Sequence, residues 1–367
     1  EATRGLAAAD LNHDGAPDLI TANVGETNRV HINHARLGAF TGVDTSEFTL
    51  TMSPSKDVAL ADFDGDGDLD ILSAIDAAPS RLYMNLGYGS YDDGHDVNMA
   101  TSGVRSVDAG DLNHDGHVDF VLGLQNDRAR VFLGDGTGQF DLGTAYGNIS
   151  MTEDVTLADI DDDGDLDVVK ALNAGTNCWM PNLGNGAFGM ETILSTGMWN
   201  SVALAAGDLN GDDEVDLVVA NAGAPSKVYL NQGGGMFGLA DLAPDDFNAR
   251  AVTLGDVDND GDLDVVIGNH GTTNRIYFNQ GDGTFDAGND VGVSANSTLS
   301  VALFDINGDG DLDLLEGNDG QATWWFAGES GGFVGTGSIL YADADITRGL
   351  AMGDLDGNGT IDAVAAT

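Results

Sequence analysis

Asp256-Val-Asp-Asn-Asp-Gly-Asp-Leu-Asp264 carries side-chain oxygens at loop positions 1, 3, 5 and 9, with Gly261 at position 6. A hard cation such as calcium takes six to eight oxygen ligands, mixing carboxylates with a backbone carbonyl and water. Carboxylates at alternate positions, a glycine that permits the bend, a carbonyl from position 7 and a closing Asp meet that demand. Magnesium suits the set less well, because it keeps several of its waters.

The pattern occurs eight times, at intervals of 48 to 52 residues. The expected ligand sets are Asp10, Asn12, Asp14 and Asp18; Asp62, Asp64, Asp66 and Asp70; Asp111, Asn113, Asp115 and Asp119; and Asp159, Asp161, Asp163 and Asp167. They continue as Asp208, Asn210, Asp212 and Asp216; Asp256, Asp258, Asp260 and Asp264; Asp305, Asn307, Asp309 and Asp313; and Asp354, Asp356, Asn358 and Asp362. A single Asp-rich nonapeptide is a weak signal, whereas eight in phase mark a repeat architecture holding up to eight structural calcium ions. An EF-hand does not fit: position 12 is Thr21, Ser73 or Ile267 instead of Glu. The flanks Val58-Ala-Leu-Ala and Leu69-Asp-Ile-Leu read as short strands, so each loop joins a hairpin. The fifth loop departs by placing Asp213 where glycine belongs, and Asp tolerates a left-handed backbone better than most residues. The first has Pro17 beside its closing Asp, and the eighth has the neutral Asn358 at position 5.

The elements that must hold these loops repeat with them. Between Lys56 and Asp96 the chain reads as strand A (Asp57-Val-Ala-Leu-Ala), the loop, strand B (Leu69-Asp-Ile-Leu-Ser-Ala), a turn, strand C (Arg81-Leu-Tyr-Met-Asn), a Gly-rich turn and a looser strand D. Four antiparallel strands in roughly 40–50 residues is the size of one propeller blade. The C–D turn recurs as Asn182-Leu-Gly-Asn-Gly-Ala-Phe, Asn231-Gln-Gly-Gly-Gly-Met-Phe and Asn279-Gln-Gly-Asp-Gly-Thr-Phe. Its aromatic, at Phe40, Tyr91, Phe140, Phe188, Phe237, Phe285 and Phe333, is expected to pack between blades. These Asp-x-Asp/Asn-x-Asp-Gly-x-x-Asp loops and Gly-x-Gly-x-Phe turns cover the chain and resemble FG-GAP/VCBS repeats, the family of the integrin α-subunit propeller and many secreted bacterial proteins. The resemblance implies an all-β fold: a calcium-stapled β-propeller with metal in the A–B loops, used mostly for adhesion and recognition. It is specific for the fold and weak for the ligand. The chain supplies eight A–B hairpins and seven C–D pairs. Eight blades, the last incomplete, is the expected count, with seven the alternative.

Composition narrows the function. The 367 residues suffice for a large core, and 61 acidic against 13 basic residues give a formal charge of -48. That excludes nucleic acid and anionic membranes as general partners. No apolar run in the given residues is long enough to span a membrane, and no signal peptide is expected among them. The chain begins at Glu1, which reads as a processed or excised product. Cys178 is the only cysteine, so no disulfide forms within the chain; it reads as a small buried apolar residue. Calcium loops of low affinity fit an extracellular or cell-surface setting, where calcium is millimolar.

Ten of the thirteen basic residues fall in two registers. Arg4, Lys56, Arg105, Arg250 and Arg348 lie six residues before a loop, at the start of strand A. Arg29, Arg81, Arg130, Lys227 and Arg275 lie at the start of strand C. Both sets belong at the end opposite the calcium loops. They serve either as ion pairs with acids such as Asp76 or Glu316, or as an anion site for uronate or sulfate groups of a polysaccharide, to which the Arg fork is suited. Asn173, Asn221, Asn269, His270, Asn318, Trp324 and Trp325 at the same end offer amides and aromatics to sugars. The leading expectation is a recognition or adhesion module for a glycan or an extracellular protein. A scaffold without its own ligand is the alternative, and a polysaccharide lyase or hydrolase a further one. Of the seven His residues, His13, His114 and His117 lie in calcium loops, and no nucleophile elbow or zinc motif occurs.

Overall fold

The computed structural model describes, with side chains, residues 55–86, 91–99, 101–244, 247–292, 295–303 and most of 305–337. Beyond these it describes the backbone of strands Ala2–Ala9, Asp18–Val24, Arg29–Ile32, Asp44–Glu47, Ser338–Tyr341, Leu350–Gly353 and Asp362–Ala365. The side chains of Arg4, Asp18, Arg29 and Asp362, most of the first and eighth loops, Asn307, Phe40 and Arg348 therefore lie outside the described residues.

The described elements are antiparallel strands, and within each four-stranded sheet the order follows the chain from the inner strand outward. In the second sheet the order is Ser55–Ala61, Asp70–Ile75, Arg81–Tyr83 and His95–Asp96; in the sixth it is Ala249–Gly255, Asp264–Asn269, Asn274–Tyr277 and Asn289–Val291. Strand A pairs with strand B through the loop, Gly255 opposite Asp264 and Leu254 opposite Val265. The inner strands pack one against the next, from Ala2–Ala9 through Ser55–Ala61 and onward to Thr298–Phe304 and Leu350–Gly353. Leu350–Gly353 then packs against Ala2–Ala9. The result is a β-propeller of eight blades, the eighth being the hairpin Leu350–Gly353 and Asp362–Ala365.

Strand B has neighbours on both faces and is buried at every position in Asp70–Ile75, Asp216–Asn221 and Asp264–Asn269. That is why these segments read as continuous apolar runs and not as alternating ones. The cores lie between blades. Leu72, Val104, Phe120 and Leu122 join the second and third, and Val169, Trp179, Leu217 and Tyr229 the fourth and fifth. The turn aromatics take two roles. Phe140 packs edge-on to Phe63 of the preceding blade at 5.7 Å, and Phe188 to Tyr146 at 5.3 Å, whereas Phe237 rests on Tyr229 of its own blade. Cys178 is buried, and burial pushes its thiol up to about 12.

Neighbouring inner strands are also stitched by side chains. Asp57 Oδ2 accepts from the Val107 amide at 2.9 Å, Asp108 Oδ2 from Leu157 at 2.8 Å and Asp154 Oδ2 from Leu204 at 2.9 Å. Each acid crosses to the next blade, some fifty residues along the chain. Burial raises all three carboxyls, Asp154 from 3.8 to about 7. A carboxyl with a folded value above its unfolded one stabilises fully below the unfolded value and loses that contribution as pH rises through the folded one. Metal-free protein is therefore expected to melt lower at pH 8 than at pH 5. Asp154→Asn should flatten the profile by up to about 1.4 kcal/mol per pH unit across that window. A melting temperature that rises between those pH values in metal-stripped protein would contradict this assignment.

Candidate calcium loops and channel mouth

In the loops, the position 1 carboxylate organises the bend. Asp62 Oδ1 accepts from the amides of Gly65 and Asp66 at 2.7 and 3.1 Å, and Oδ2 from Gly67 at 3.0 Å. Asp256 and Asp305 likewise bond the position 5 and position 6 amides. Position 6 is left-handed in every described loop, at φ +99° for Gly261 and +96° for Gly67. Asp213 occupies the same conformation at φ +68°, and its amide still reaches Asp208 Oδ2 at 2.9 Å. The fifth loop thus keeps its shape at the cost of a strained non-glycine residue.

The closing Asp does more than the sequence reading assigned to it. Asp264 Oδ2 accepts from the Val257 amide at 3.0 Å, and Oδ1 from Asn279 at 2.9 Å. Asp70, Asp119, Asp167 and Asp216 repeat both bonds, and all five are buried. Each one locks the A–B loop to the end of strand C. Burial raises their carboxyls to between about 6 and about 7. The Asn at the end of strand C extends the lock: Asn182, Asn231 and Asn279 donate from Nδ2 to the position 2 carbonyls of a neighbouring blade's loop, Leu112, Ile160 and Leu209, at 2.7–2.9 Å.

Three acidic triplets bring carboxylate oxygens within 4.8 Å of one another: Asp62, Asp64 and Asp66; Asp159, Asp161 and Asp167; and Asp256, Asp258 and Asp260. These could hold a metal ion. Within them, Asp161 Oδ1 and Asp258 Oδ1 are covered from solvent without a hydrogen-bond partner among the described residues. A buried, unpaired carboxylate oxygen is costly, and a cation beside it removes that cost. The donors are all oxygen, the set calcium prefers. All three triplets come from loops with Asp at position 3. That position alternates round the ring: Asn12, Asn113, Asn210 and Asn307 interleave with Asp64, Asp161, Asp258 and Asp356. The alternation is visible in the sequence once the loops are aligned by position.

At the other end of the inner strands, Lys56, Arg105, Glu153, Val202, Arg250 and Leu299 line one cavity of about 240 Å³ with Asn173. Apart from Asn173, each stands six residues before its loop, so this one register forms the mouth of the central channel. Of the strand A cations, Lys56, Arg105 and Arg250 come together there, while the side chains of Arg4 and Arg348 lie outside the described residues. Lys56 lies 3.4 Å from Asp76, and Arg105 lies 3.6 Å from Glu153. Arg250 has no ion pair or hydrogen bond among the described residues, and its Nε is covered. Three cations thus face the single acid Glu153.

The described strand C cations are elsewhere. Arg81 donates to the carbonyls of Asp93 and Gly94, and Arg275 to those of Ala287 and Gly288. Lys227 bonds Asp241 and lies over the Trp199 ring, and Arg130 is 3.8 Å from Asp127. Arg81, Lys227 and Arg275 tie strand C to strand D and do not reach the channel. Asn221, Asn269 and Asn318 are sealed inside; the first two hold their B–C turns through Pro225 and Thr273 carbonyls. Glu316 is buried against Asn296 and not against an Arg; burial raises it to about 7. Trp324 and Trp325 are both half-buried, and His270 lies 4.0 Å from Asp319.

A model of the FG-GAP-like repeat matches residues 10–73, 62–122, 111–170, 159–219, 208–267, 256–316 and 305–365, each stretch spanning two successive loops. No curated protein matches by sequence. Among solved structures, the chain is similar to an Agrocybe aegerita lectin described as recognising non-reducing terminal N-acetylglucosamine (19% identity, 99% of both chains, TM-score 0.64). It is also similar to a Burkholderia pseudomallei lectin (13% identity, 92% of this chain and 99% of that one, TM-score 0.73). A biofilm matrix protein of V. cholerae aligns with 98% of this chain and 84% of its own (14% identity, TM-score 0.54). At these identities the likeness is one of fold.

Proposed function

We infer that this chain, which belongs to the FG-GAP-like repeat family, is a calcium-stabilised recognition propeller that binds an acidic glycan at its channel mouth. Arg250 carries the reading. A guanidinium on the inner ring, free of any acid among the described residues, is an available partner for carboxylate or sulfate. In a chain of formal charge -48, a cavity where cations outnumber acids three to one is a local inversion of sign. The fold it shares with two lectins supports a sugar as ligand. The setting is extracellular, where calcium is abundant enough to fill the loops. The role is binding and not turnover: no histidine lines the mouth among the described residues, and its one acid is paired with Arg105.

A glycan array with and without calcium, run beside a uronic-acid polymer turnover assay, tests the class of function. Arg105→Ala with Arg250→Ala is expected to weaken an acidic glycan by a hundredfold or more, since each charge-assisted hydrogen bond contributes about 1.5–3 kcal/mol. The calcium-dependent melt should stay nearly intact, and raised salt should mimic part of the loss. Unchanged affinity in a destabilised double mutant would leave an interblade ion-pair role in its place.

A further inference from the structure

A second cavity, of about 450 Å³, opens beside the channel mouth, walled by the third and fourth blades and by Met198 just ahead of the fifth. Asn173 lines both. Its Nδ2 donates to Glu153 Oε1 at 3.1 Å, and Glu153 in turn meets Arg105. The two cavities are therefore joined at one side chain.

Their chemistry differs. The second is lined by apolar chains, among them Met151, Leu172, Ile193 and Met198, with Asn126, Ser150 and Thr176 around them. Ile193 and Met198 are 54% and 69% exposed, large for apolar chains on so acidic a surface. The charged groups at the cavity cancel: buried Lys170 bonds Glu191, which also accepts from the Asn148 amide at 2.9 Å. Asn126 and Thr176 make no side-chain hydrogen bond among the described residues. Neutral donors and acceptors above an apolar floor, with no net charge, suit an uncharged group bearing methyls. Among the described residues no aromatic ring lines the cavity to stack on a sugar face. The apolar substituent must therefore supply the contact.

We propose that the groove walled by the third and fourth blades is an adjoining subsite for a neutral sugar residue carrying an acetamido or deoxy-methyl group, so that the glycan bound here alternates acidic and neutral residues across Asn173. The volume suits one or two sugar rings. The proposal rests on the channel mouth binding the acidic residue, and its test separates the two.

The probes are an oligogalacturonate and an equally long oligosaccharide alternating uronic acid with N-acetylhexosamine, each titrated calorimetrically in calcium. The alternating oligomer is expected to bind at least tenfold tighter. Ile193→Asp with Met198→Asp, both exposed positions, should cancel that advantage and leave oligogalacturonate within twofold; Thr176→Val gives a milder, isosteric version. Melting temperatures matching the wild type establish that the variants are folded. Equal affinity for the two probes, or variants that weaken both alike, would overturn the subsite while leaving the mouth intact. Binding of neither probe, with Arg250→Ala silent, would overturn the mouth and the subsite together. Preference for an apolar peptide over both probes would also overturn it.

Discussion

Stripping calcium is expected to lower the melting temperature by many degrees. With free calcium at about ten times Kd, each site adds roughly 1.4 kcal/mol to the folded state. Up to eight such sites together exceed the net stability of a typical domain, about 5–15 kcal/mol, or come close to it. The reason is visible in the loops: covered oxygens of Asp161 and Asp258 have no partner among the described residues, and carboxylates of positions 1, 3 and 5 in the second and sixth loops, and of positions 1, 3 and 9 in the fourth, stand close together. Without a cation that repulsion is uncompensated. The effect should be uneven. Asp258→Ala removes a carboxylate from a complete triplet, whereas Asp212→Ala acts in a loop that has Asn210 at position 3 and a strained Asp213. The first should cost about twice the calcium-dependent stability of the second. Calorimetric melts in calcium and in EDTA measure both. An unchanged melt in EDTA would show that the loops are acidic turns and nothing more.

The second large effect needs no metal. Asp264→Ala, measured in EDTA, should cost about 2–6 kcal/mol, because it strands two buried amides, those of Val257 and Asn279, each at about 1–3 kcal/mol. Asp93→Ala, at an exposed position, should stay within about 0.5 kcal/mol. Denaturant titration of the metal-free proteins separates the two. If Asp264→Ala matched wild type in EDTA and differed only in calcium, the closing Asp would be a ligand and not a clamp.

That double duty marks the boundary of what the residues disclose by themselves. The loop register, the four-strand repeat and the inter-blade packing of Phe140 and Phe188 follow from spacing, because ligand number and strand period are local constraints. The chain direction also fixes which end of each blade a residue occupies, so Lys56, Arg105 and Arg250 could be placed at the end away from the loops. It does not fix distance from the axis. Arg81 and Arg275 share that end with Arg105 yet spend their guanidinium groups on outer-strand carbonyls. Nor does residue type reveal a partner fifty residues away: Asp57, Asp108 and Asp154 look like ordinary strand acids until the next blade supplies their amides. Asn221 and Asn269 read as sugar ligands by type, but their carboxamides are consumed in closing tight turns.

The blades are not equally independent. Strand Asp119–Phe132 runs unbroken from the second to the third position of its sheet, and Thr144–Ala158 passes from the outer edge of one blade to the inner edge of the next. Asn173 and Gly175 then pair with Asn200 and Trp199, so that hydrogen bonds connect the third, fourth and fifth blades into one ten-stranded sheet. In a repeat protein, stability is a sum of unit terms and neighbour terms, and a continuous ladder raises the neighbour term locally. These three blades should therefore open as one cooperative block, with the slowest amide exchange in the molecule. The remaining described blades, joined to their neighbours by packing and by isolated bridges such as Ala78–Thr101, Ala222–Asn248 and His270–Ser297 instead of a continuous ladder, should exchange earlier and one by one. The groove shared by that block would then persist in a partly unfolded chain that has already lost its ring.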